Sequence, residues 1–423
     1  MLIAPKTARF IARIRAMMSV AEAAGRLDSR PGAPTPFRIV PRTTAGTIAR
    51  LWSRLVAAGV PPSAQAALAD DATIAAAESF SANIESMIGT VKVPVGIVGP
   101  LRVNGLNAHG DFLIPMATTE AALVASYARG ATAANRAGGI AATTLSDGVL
   151  RTPAFRFASI ADAGRFVDWV AGNPELLTAA ANETTRHGAL VSIDPVIDGE
   201  VVFLLCTYFT GDAAGQNMVT FATDALCRAA LAQCPIAPLS WFLEGNYSGD
   251  KKASFLGVMQ GRGRKVTAQV DLPTAVVEDV LGVGIARILE YGRIANLGSL
   301  LSGQIGAQAH YANALAALYL ATGQDAACVA ESAVGYTRME PSDIGLKVTV
   351  TLPNLLVGTV GGGTGLPSQR AALDVMGLAG TGHAPALAEV AAALCLCGEL
   401  SLTAAVAGGQ FGSAHKRLAR GRH

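Results

Sequence analysis

Aromatic residues are scarce, at 5% of the 423 positions, and charged residues reach only 15%. The few charges nearly cancel, with 33 Lys and Arg against 31 Asp and Glu. A chain without basic excess or a basic stripe is not expected to bind nucleic acid. The six cysteines, Cys206, Cys227, Cys234, Cys328, Cys395 and Cys397, form no CxxC pair and no zinc spacing. The six histidines (His109, His187, His310, His383, His415, His423) are scattered and include no HExxH. No metal site is therefore expected, and cysteine usage points to a reducing cytoplasm. No run of about 20 residues is free of charge and apolar throughout. The most apolar stretch, Val390 to Gly409, is interrupted by Glu399 and preceded by Glu389, so no membrane partner is expected. The N-terminal Lys6, Arg9, Arg13 and Arg15 lie among apolar residues, but no continuous apolar region or small-residue cleavage site accompanies them. They read as a basic surface helix. A Walker loop and a GxGxxG fingerprint are also missing.

What is present is a hydrophobic fraction of 51%, enough for a large core and for surface buried between subunits. The length predicts two or three folding units. Prolines 31, 34, 36 and 41 mark a loop, followed by helical stretches over 44–58 and 62–80. Residues 91–104 alternate β-branched residues with Pro and Gly, predicting short strands. Residues 118–137 read as a long buried Ala-rich helix. Helices over 160–171 and 174–185 lead to strands over 189–195 and 200–208, joined at Asp198-Gly199. A helix begins near Asn217. The polar segment 244–252 reads as a loop. A strand over 265–272 precedes long helices over 275–292 and 297–322, and a further strand spans 346–352. No internal repeat is visible.

Several short segments carry candidate chemistry. Glycines in Gly358-Thr-Val-Gly-Gly-Gly-Thr-Gly365 let backbone N–H groups approach a phosphate, or serve a tight core turn. Asp212-Ala-Ala-Gly-Gln-Asn-Met218 sits between strand and helix, where an anion or a simple cap is favoured. Asp250-Lys251-Lys252 lies in the polar loop. Glu120 stands at the start of an apolar helix, as a cap or as a buried proton donor. Asp325, in Gly323-Gln-Asp-Ala-Ala, is a cap candidate too.

Together these segments resemble the 3-hydroxy-3-methylglutaryl-CoA (HMG-CoA) reductase family. The matching blocks are Ile84-Glu-Ser-Met-Ile-Gly-Thr90, Val93-Pro-Val-Gly96, Gly99-Pro100, Pro115-Met-Ala-Thr-Thr-Glu120, Gly245-Asn-Tyr247, Asp250-Lys-Lys252, Gly323-Gln-Asp-Ala-Ala327 and Gly358-Thr-Val-Gly-Gly-Gly-Thr364, in the family's order. The resemblance runs from about Ile84 to His415. The Asp-Lys-Lys form looks like the branch that includes the eukaryotic enzymes, without their membrane anchor.

The resemblance implies an α+β fold: a larger helix-rich substrate domain (88–151 and 254–423) with an inserted, ferredoxin-like cofactor domain (152–243). It also implies an N-terminal helical segment (1–87), an active-site loop (244–253) and a mobile tail (410–423). The implied reaction is a four-electron, NADPH-dependent reduction of an acyl thioester, through a hemithioacetal and an aldehyde, to an alcohol. Carried over by motif, Lys251 is the cation beside the oxyanion and Glu120 the proton donor. Asp325 tunes both, and His415 protonates the leaving thiolate. Thr185, Arg186, Asp212, Gly215, Asn217, Met218, Gly361 and Gly362 fall on the cofactor side, with Arg186 placed to read the 2′-phosphate of NADPH. Arg151, Glu244, Asn246, Asp250, Lys252, Arg293, His310 and Asn313 fall on the substrate side. A homodimer, or a dimer of dimers, with active sites at the subunit interface is implied as well.

The sequence departs from the family at the acyl site. Glu244 stands where the family has a serine. It would repel an anionic acyl group unless Lys252 or Arg151 neutralises it. The family's lysine ahead of the long helix is missing, with Arg293 one residue away. Basic positions facing the nucleotide of CoA appear as Thr132 and Gly282, with Arg129 and Arg136 nearby. HMG-CoA and a different acyl thioester, on CoA or a carrier protein, both fit. A catalytically silent relative would have lost one of Glu120, Lys251, Asp325 or His415, and all are present.

Overall fold

The structure is a computed structural model and describes residues 6–29, 32 and 36–409. Its ten strands are β1 (Val95–Gly105), β2 (His109–Ala117), β3 (Ile140–Arg151), β4 (Ala154–Arg156), β5 (Ala189–Asp198), β6 (Val201–Phe209), β7 (Ser240–Phe242), β8 (Gly263–Pro273), β9 (Tyr336–Pro341) and β10 (Gly345–Leu355). They join in one sheet of order β7-β4-β6-β3-β8-β10-β9, with β1 and β2 branching from β3 and β5 flanking β6.

The strand β3 is the hinge of the arrangement. Its Ala141–Gly148 portion pairs antiparallel with β8. Its last residues, Val149–Arg151, pair instead with β6. From there the chain makes β4, the helices Ile160–Gly172 and Pro174–Asn182, the β5–β6 hairpin, the helix Gln216–Gln233 and β7. The strand order β7-β4-β6-β5, all antiparallel, is the ferredoxin-like βαββαβ pattern. The fold is thus α+β with such a unit inserted into a larger sheet.

Behind the larger sheet lies the helix Ala384–Ala407, nearly all of it buried. It is long and apolar enough to cross a membrane, but 89% of its most apolar window is covered by the rest of the protein. Its two buried carboxylates explain how so apolar a helix carries charge. Glu389 accepts N–H bonds from Asn107, Ala108 and Thr144. Glu399 accepts them from Ala309 and His310, plus a hydroxyl bond from Thr337. Buried charge persists only where such donors satisfy it. The helix Leu123–Arg136 packs close against this helix: a Cβ on Gly130 would lie 1.9 Å from the Cys397 carbonyl oxygen. The N-terminal helices form a separate small core around Ile48, Trp52, Ala77 and Met87, pinned by the Trp52 indole N–H on the Ile88 carbonyl (2.6 Å).

The structure revises several expectations. The helix predicted over 118–137 starts only at Leu123, after Ala122 in the left-handed region, so Glu120 lies in the preceding loop. The segment predicted as short strands is one long strand, and β2, β3, β4, β7 and β9 form where no strand is predicted. The helices predicted over 275–292 and 297–322 divide elsewhere: a turn of wider helix, Val277–Leu281, stops at Gly282, then a first helix runs Ile285–Ser302 and a second Tyr311–Thr322. Gly303 ends the first in the left-handed conformation that glycine adopts most easily. The second begins where Gln308 Oε1 accepts the Tyr311 N–H at 2.9 Å.

Candidate active site

The loop 244–252 leaves β7 and is held from below by two arginines. Arg151, the last residue of β3, places Nη1 3.0 Å from Glu244 and 3.3 Å from Asp250. Arg262, just before β8, is 1% exposed and grips both oxygens of the equally buried Glu331 at 2.7 Å. Its Nη2 lies 3.0 Å from the second Asp250 oxygen. Its Nε donates to the Leu150 carbonyl at 3.3 Å. Burial raises the Glu331 pKa even though Arg262 beside it pulls the other way. A buried ion pair of this geometry is hard to break singly, since each partner would strand the other's charge.

This frame fixes the backbone of Lys251. The Lys251 N–H donates to Glu331 Oε1 at 3.2 Å, and the residue sits at φ 58°, unusual for a side chain other than glycine. Its ammonium is thereby directed to Asp325 Oδ2, 2.8 Å away, with both side chains partly open to solvent. Asp325 Oδ1 accepts the Ala327 N–H at 3.0 Å, so the carboxylate caps a short turn and holds the lysine at once. The hydrogen bond to Asp325 raises the Lys251 pKa. Burial works against ionised Asp325, but the Lys251 bond, the Ala327 N–H and the lysine charge outweigh it and lower its pKa. The lysine side of the pair is lost only above its ordinary value of 10.5, the aspartate side only below 3.8. The pair is therefore intact throughout the neutral range.

Glu244 is fully engaged. Besides Arg151 it accepts from Thr152 Oγ1 (3.0 Å), the Asn246 N–H (2.8 Å) and Ser248 Oγ (3.1 Å). Arg151, not Lys252, neutralises it. Lys252 donates its ammonium to the Asp250 carbonyl at 2.9 Å and remains exposed. Asn246 is exposed, with φ 59°.

A second cluster forms elsewhere. Glu120 is exposed and accepts from Asn313 Nδ2 at 3.3 Å. The nearby His310 ring contacts the Tyr127 hydroxyl (3.0 Å) and the Gly398 carbonyl (3.2 Å), so both its nitrogens have partners. Arg293 is exposed on the helix Ile285–Ser302 and lines a cavity of about 390 Å³ with Asn296, Gln308, Thr337 and Glu399. The described contacts join Glu120 to Asn313 and Lys251 to Asp325, and none joins the two clusters. Arg129 is not free for a nucleotide, since it donates to Ser401 through Nε and Nη2. Arg136 faces Asp279 at 3.6 Å.

The remaining candidates lie around two facing loops. Asp212 accepts the Gly382 and Ala384 N–H groups at 2.7 and 3.1 Å, capping the long C-terminal helix. Gly215, at φ 76°, begins the helix Gln216–Gln233. Asn217 is exposed in its first turn, and Met218 Sδ lies 2.9 Å from Thr185 Oγ1. Arg186 is exposed next to Thr185. Opposite, Gly361 and Gly362 hold φ of 74° and 54°, and nothing lies within 4 Å of a Cβ built on either. Their backbone is open to a ligand. The two loops touch through their main chains: a Cβ on Gly358 would meet the Ala214 nitrogen at 2.5 Å. Arg264 ties them together, donating to the carbonyls of Val357 (2.6 Å) and Gly211 and pairing with Asp147 at 3.0 Å. Gln324 clamps Gly358 through both its amide atoms, at 2.8 and 2.9 Å. His415 and the tail 410–423 lie outside the described residues. Among the described residues no group of His, Cys, Asp and Glu is arranged for a metal.

Sequence reasoning missed Gln216, Arg262, Arg264, Gln324 and Glu331. Arg262 and Arg264 alternate with Gly261 and Gly263, and Glu331 interrupts an otherwise apolar run, which were the available signals.

An ammonium held against a carboxylate can stabilise a developing oxyanion, and glycine loops with open backbone can receive an anion. The family profile described as hydroxymethylglutaryl-coenzyme A reductase matches residues 54–420. The protein named 3-hydroxy-3-methylglutaryl-coenzyme A reductase in Aeropyrum pernix is 45% identical over 350 residues, covering 81% of this chain and 83% of that one. Its namesake in Haloferax volcanii is 43% identical over 350 residues, covering 81% and 86%. The chain belongs to the hydroxymethylglutaryl-coenzyme A reductase family, which are oxidoreductases. The fold is also that of the class II 3-hydroxy-3-methylglutaryl-CoA reductase of Streptococcus pneumoniae, solved bound to NADPH (TM-score 0.62, 21% identity, 85% of this chain and 96% of that one).

Proposed function

We propose that the protein reduces (S)-HMG-CoA to mevalonate and free CoA at the expense of two NADPH. The observation that carries this reading is the Lys251–Asp325 pair at 2.8 Å, set by a buried frame in a chain of this family. Lys251 faces the thioester oxygen and stabilises the oxyanion formed when hydride reaches the carbonyl carbon. Asp325 holds that ammonium in place. Glu120 supplies the proton to the oxygen, and His415 the proton to the departing thiolate. The same cation serves again when the aldehyde is reduced.

NADPH, when bound, supplies the two hydrides. The residues fit it: the open Gly361–Gly362 backbone and the start of the helix Gln216–Gln233 suit its phosphates, and exposed Arg186 suits the 2′-phosphate. In this reading 152–243 is the cofactor domain, 88–151 with 254–423 the substrate domain, and 244–253 the active-site loop. The Asp250-Lys251-Lys252 form supports the branch that includes the eukaryotic enzymes. Six unpaired cysteines suit a reducing cytoplasm.

The separation of Glu120 from Lys251 supports a site completed by a second subunit in a homodimer or dimer of dimers. The helix Ile285–Ser302 carries a matching apolar face, with Leu300 and Leu301 76% and 77% exposed. Such a surface is costly to leave in water. Glu244 favours a second reading of the substrate, an acyl thioester without a distal carboxylate, because it occupies the Arg151 guanidinium. Purified protein incubated with NADPH and HMG-CoA distinguishes these readings. Mevalonate found by mass spectrometry, with two NADPH consumed for each, supports the first. NADPH binding without mevalonate favours another thioester.

A further inference from the structure

The proposed cofactor and acyl sites are built on separate parts of the chain, yet one side chain spans them. Gln216 is the first residue of the helix Gln216–Gln233, between Gly215 and Asn217 on the cofactor side. Its Oε1 accepts from Arg262 Nη2 at 2.7 Å and from Arg151 Nη2 at 3.4 Å. Its Nε2 points to Cys328 Sγ at 3.5 Å, three residues past Asp325. Those two arginines carry the acyl loop, Arg151 through Glu244 and Asp250, Arg262 through Asp250 and Glu331. Glu331 in turn receives the Lys251 N–H. A single amide oxygen is therefore, beside the Asp250 carboxylate, a shared partner of both guanidinium groups beneath the catalytic loop.

We propose that Gln216 is a positioning residue that couples the cofactor site to the acyl site. It rests on the reductase reading above. An anion drawn to the helix N-terminus acts on the turn that carries Gln216. Movement of its amide shifts the guanidinium groups, and with them Glu331, which receives the Lys251 N–H, and Glu244, which Arg151 holds. Such a network carries coupling only if occupancy of one site changes affinity at the other, and that change must be reciprocal.

The test uses NADP⁺ with HMG-CoA, a pair that cannot react, and measures each dissociation constant by calorimetry with and without the other ligand at saturation. In the wild-type protein each ligand is expected to change the affinity of the other by the same factor, roughly fivefold or more. Gln216→Met keeps the side chain's length and removes the acceptor. It is expected to bring that factor to within about twofold of unity. Gln216→Glu retains an acceptor for both arginines and is expected to preserve the coupling. Equal coupling in Gln216→Met and wild type overturns the proposal. So do wild-type sites that bind both ligands independently, and a Met variant that weakens both ligands alike while its coupling persists. A wild-type protein that binds neither ligand instead removes the reductase reading itself.

Discussion

The loop 244–252 and the facing loops 211–215 and 358–363 are held in place by different means. The loop 244–252 rests on side-chain charge: Arg151 and Arg262 against Glu244, Asp250 and Glu331. The loops 211–215 and 358–363 rest on main-chain contact, with no room for a Cβ at Gly358 and carbonyls gathered by Arg264. Removing one partner of a buried charge pair strands the charge of the other. Main-chain packing leaves no room for an added side-chain atom.

The largest expected effect lies at the head of the charge-built loop. Lys251→Ala should lower kcat roughly 100- to 1,000-fold by removing the oxyanion's cation, with the fold intact by circular dichroism. Near-normal turnover would remove its role. Mixing Lys251→Ala with equally inactive Glu120→Ala subunits should restore activity if the two clusters meet between subunits. No recovery after verified subunit exchange would place each site within one chain.

The main-chain side is broken differently. Gly358→Ala should destabilise the protein by about 3 kcal/mol or more, since backbone atoms cannot yield to a Cβ. Thermal unfolding reads this as a lower Tm, and an unchanged Tm would mean the loops can part freely. Next in size, Arg186→Ala should raise the KM for NADPH about tenfold while leaving that for NADH within about twofold. Equal changes would mean that the guanidinium does not read the 2′-phosphate. The smallest effect is expected at Glu244. Glu244→Gln frees part of Arg151 and should lower the KM for HMG-CoA by about two- to fivefold, with Asp250 still holding the arginine. A raised KM would show instead that the carboxylate shapes the loop for its acyl group.

Much of the fold could be read directly. The β5–β6 hairpin lies within three residues of its expected bounds, because Asp198-Gly199 marks the turn and the strands alternate. The glycine segments and the Asp250-Lys251-Lys252 loop were visible as local patterns. Three things were not. The break at Gly303 was hidden by apolar residues that continue a helical pattern on both sides. The strand β3 was obscured by Ala and Thr, whose pattern fits helix or strand. The frame beneath Lys251 unites Gln216, Arg262 and Glu331, residues far apart in sequence that only the sheet brings together. Glu120 was legible as a candidate, but its partner Asn313 was visible only by resemblance.

The route of the chain through β3 also orders its assembly. The ferredoxin-like unit is complete once β7 has been made, while the strands that flank it still lack β8 and β10. The helix Ala384–Ala407, far along the chain, covers much of one face of the larger sheet. During synthesis the insert can fold early, because domains form as units from the N-terminal side. Its host must wait, with part of an apolar face uncovered, until this helix emerges from the ribosome. That waiting time is when aggregation competes most strongly, and the two glutamates buried in the helix keep the late-arriving segment from being purely greasy before it docks.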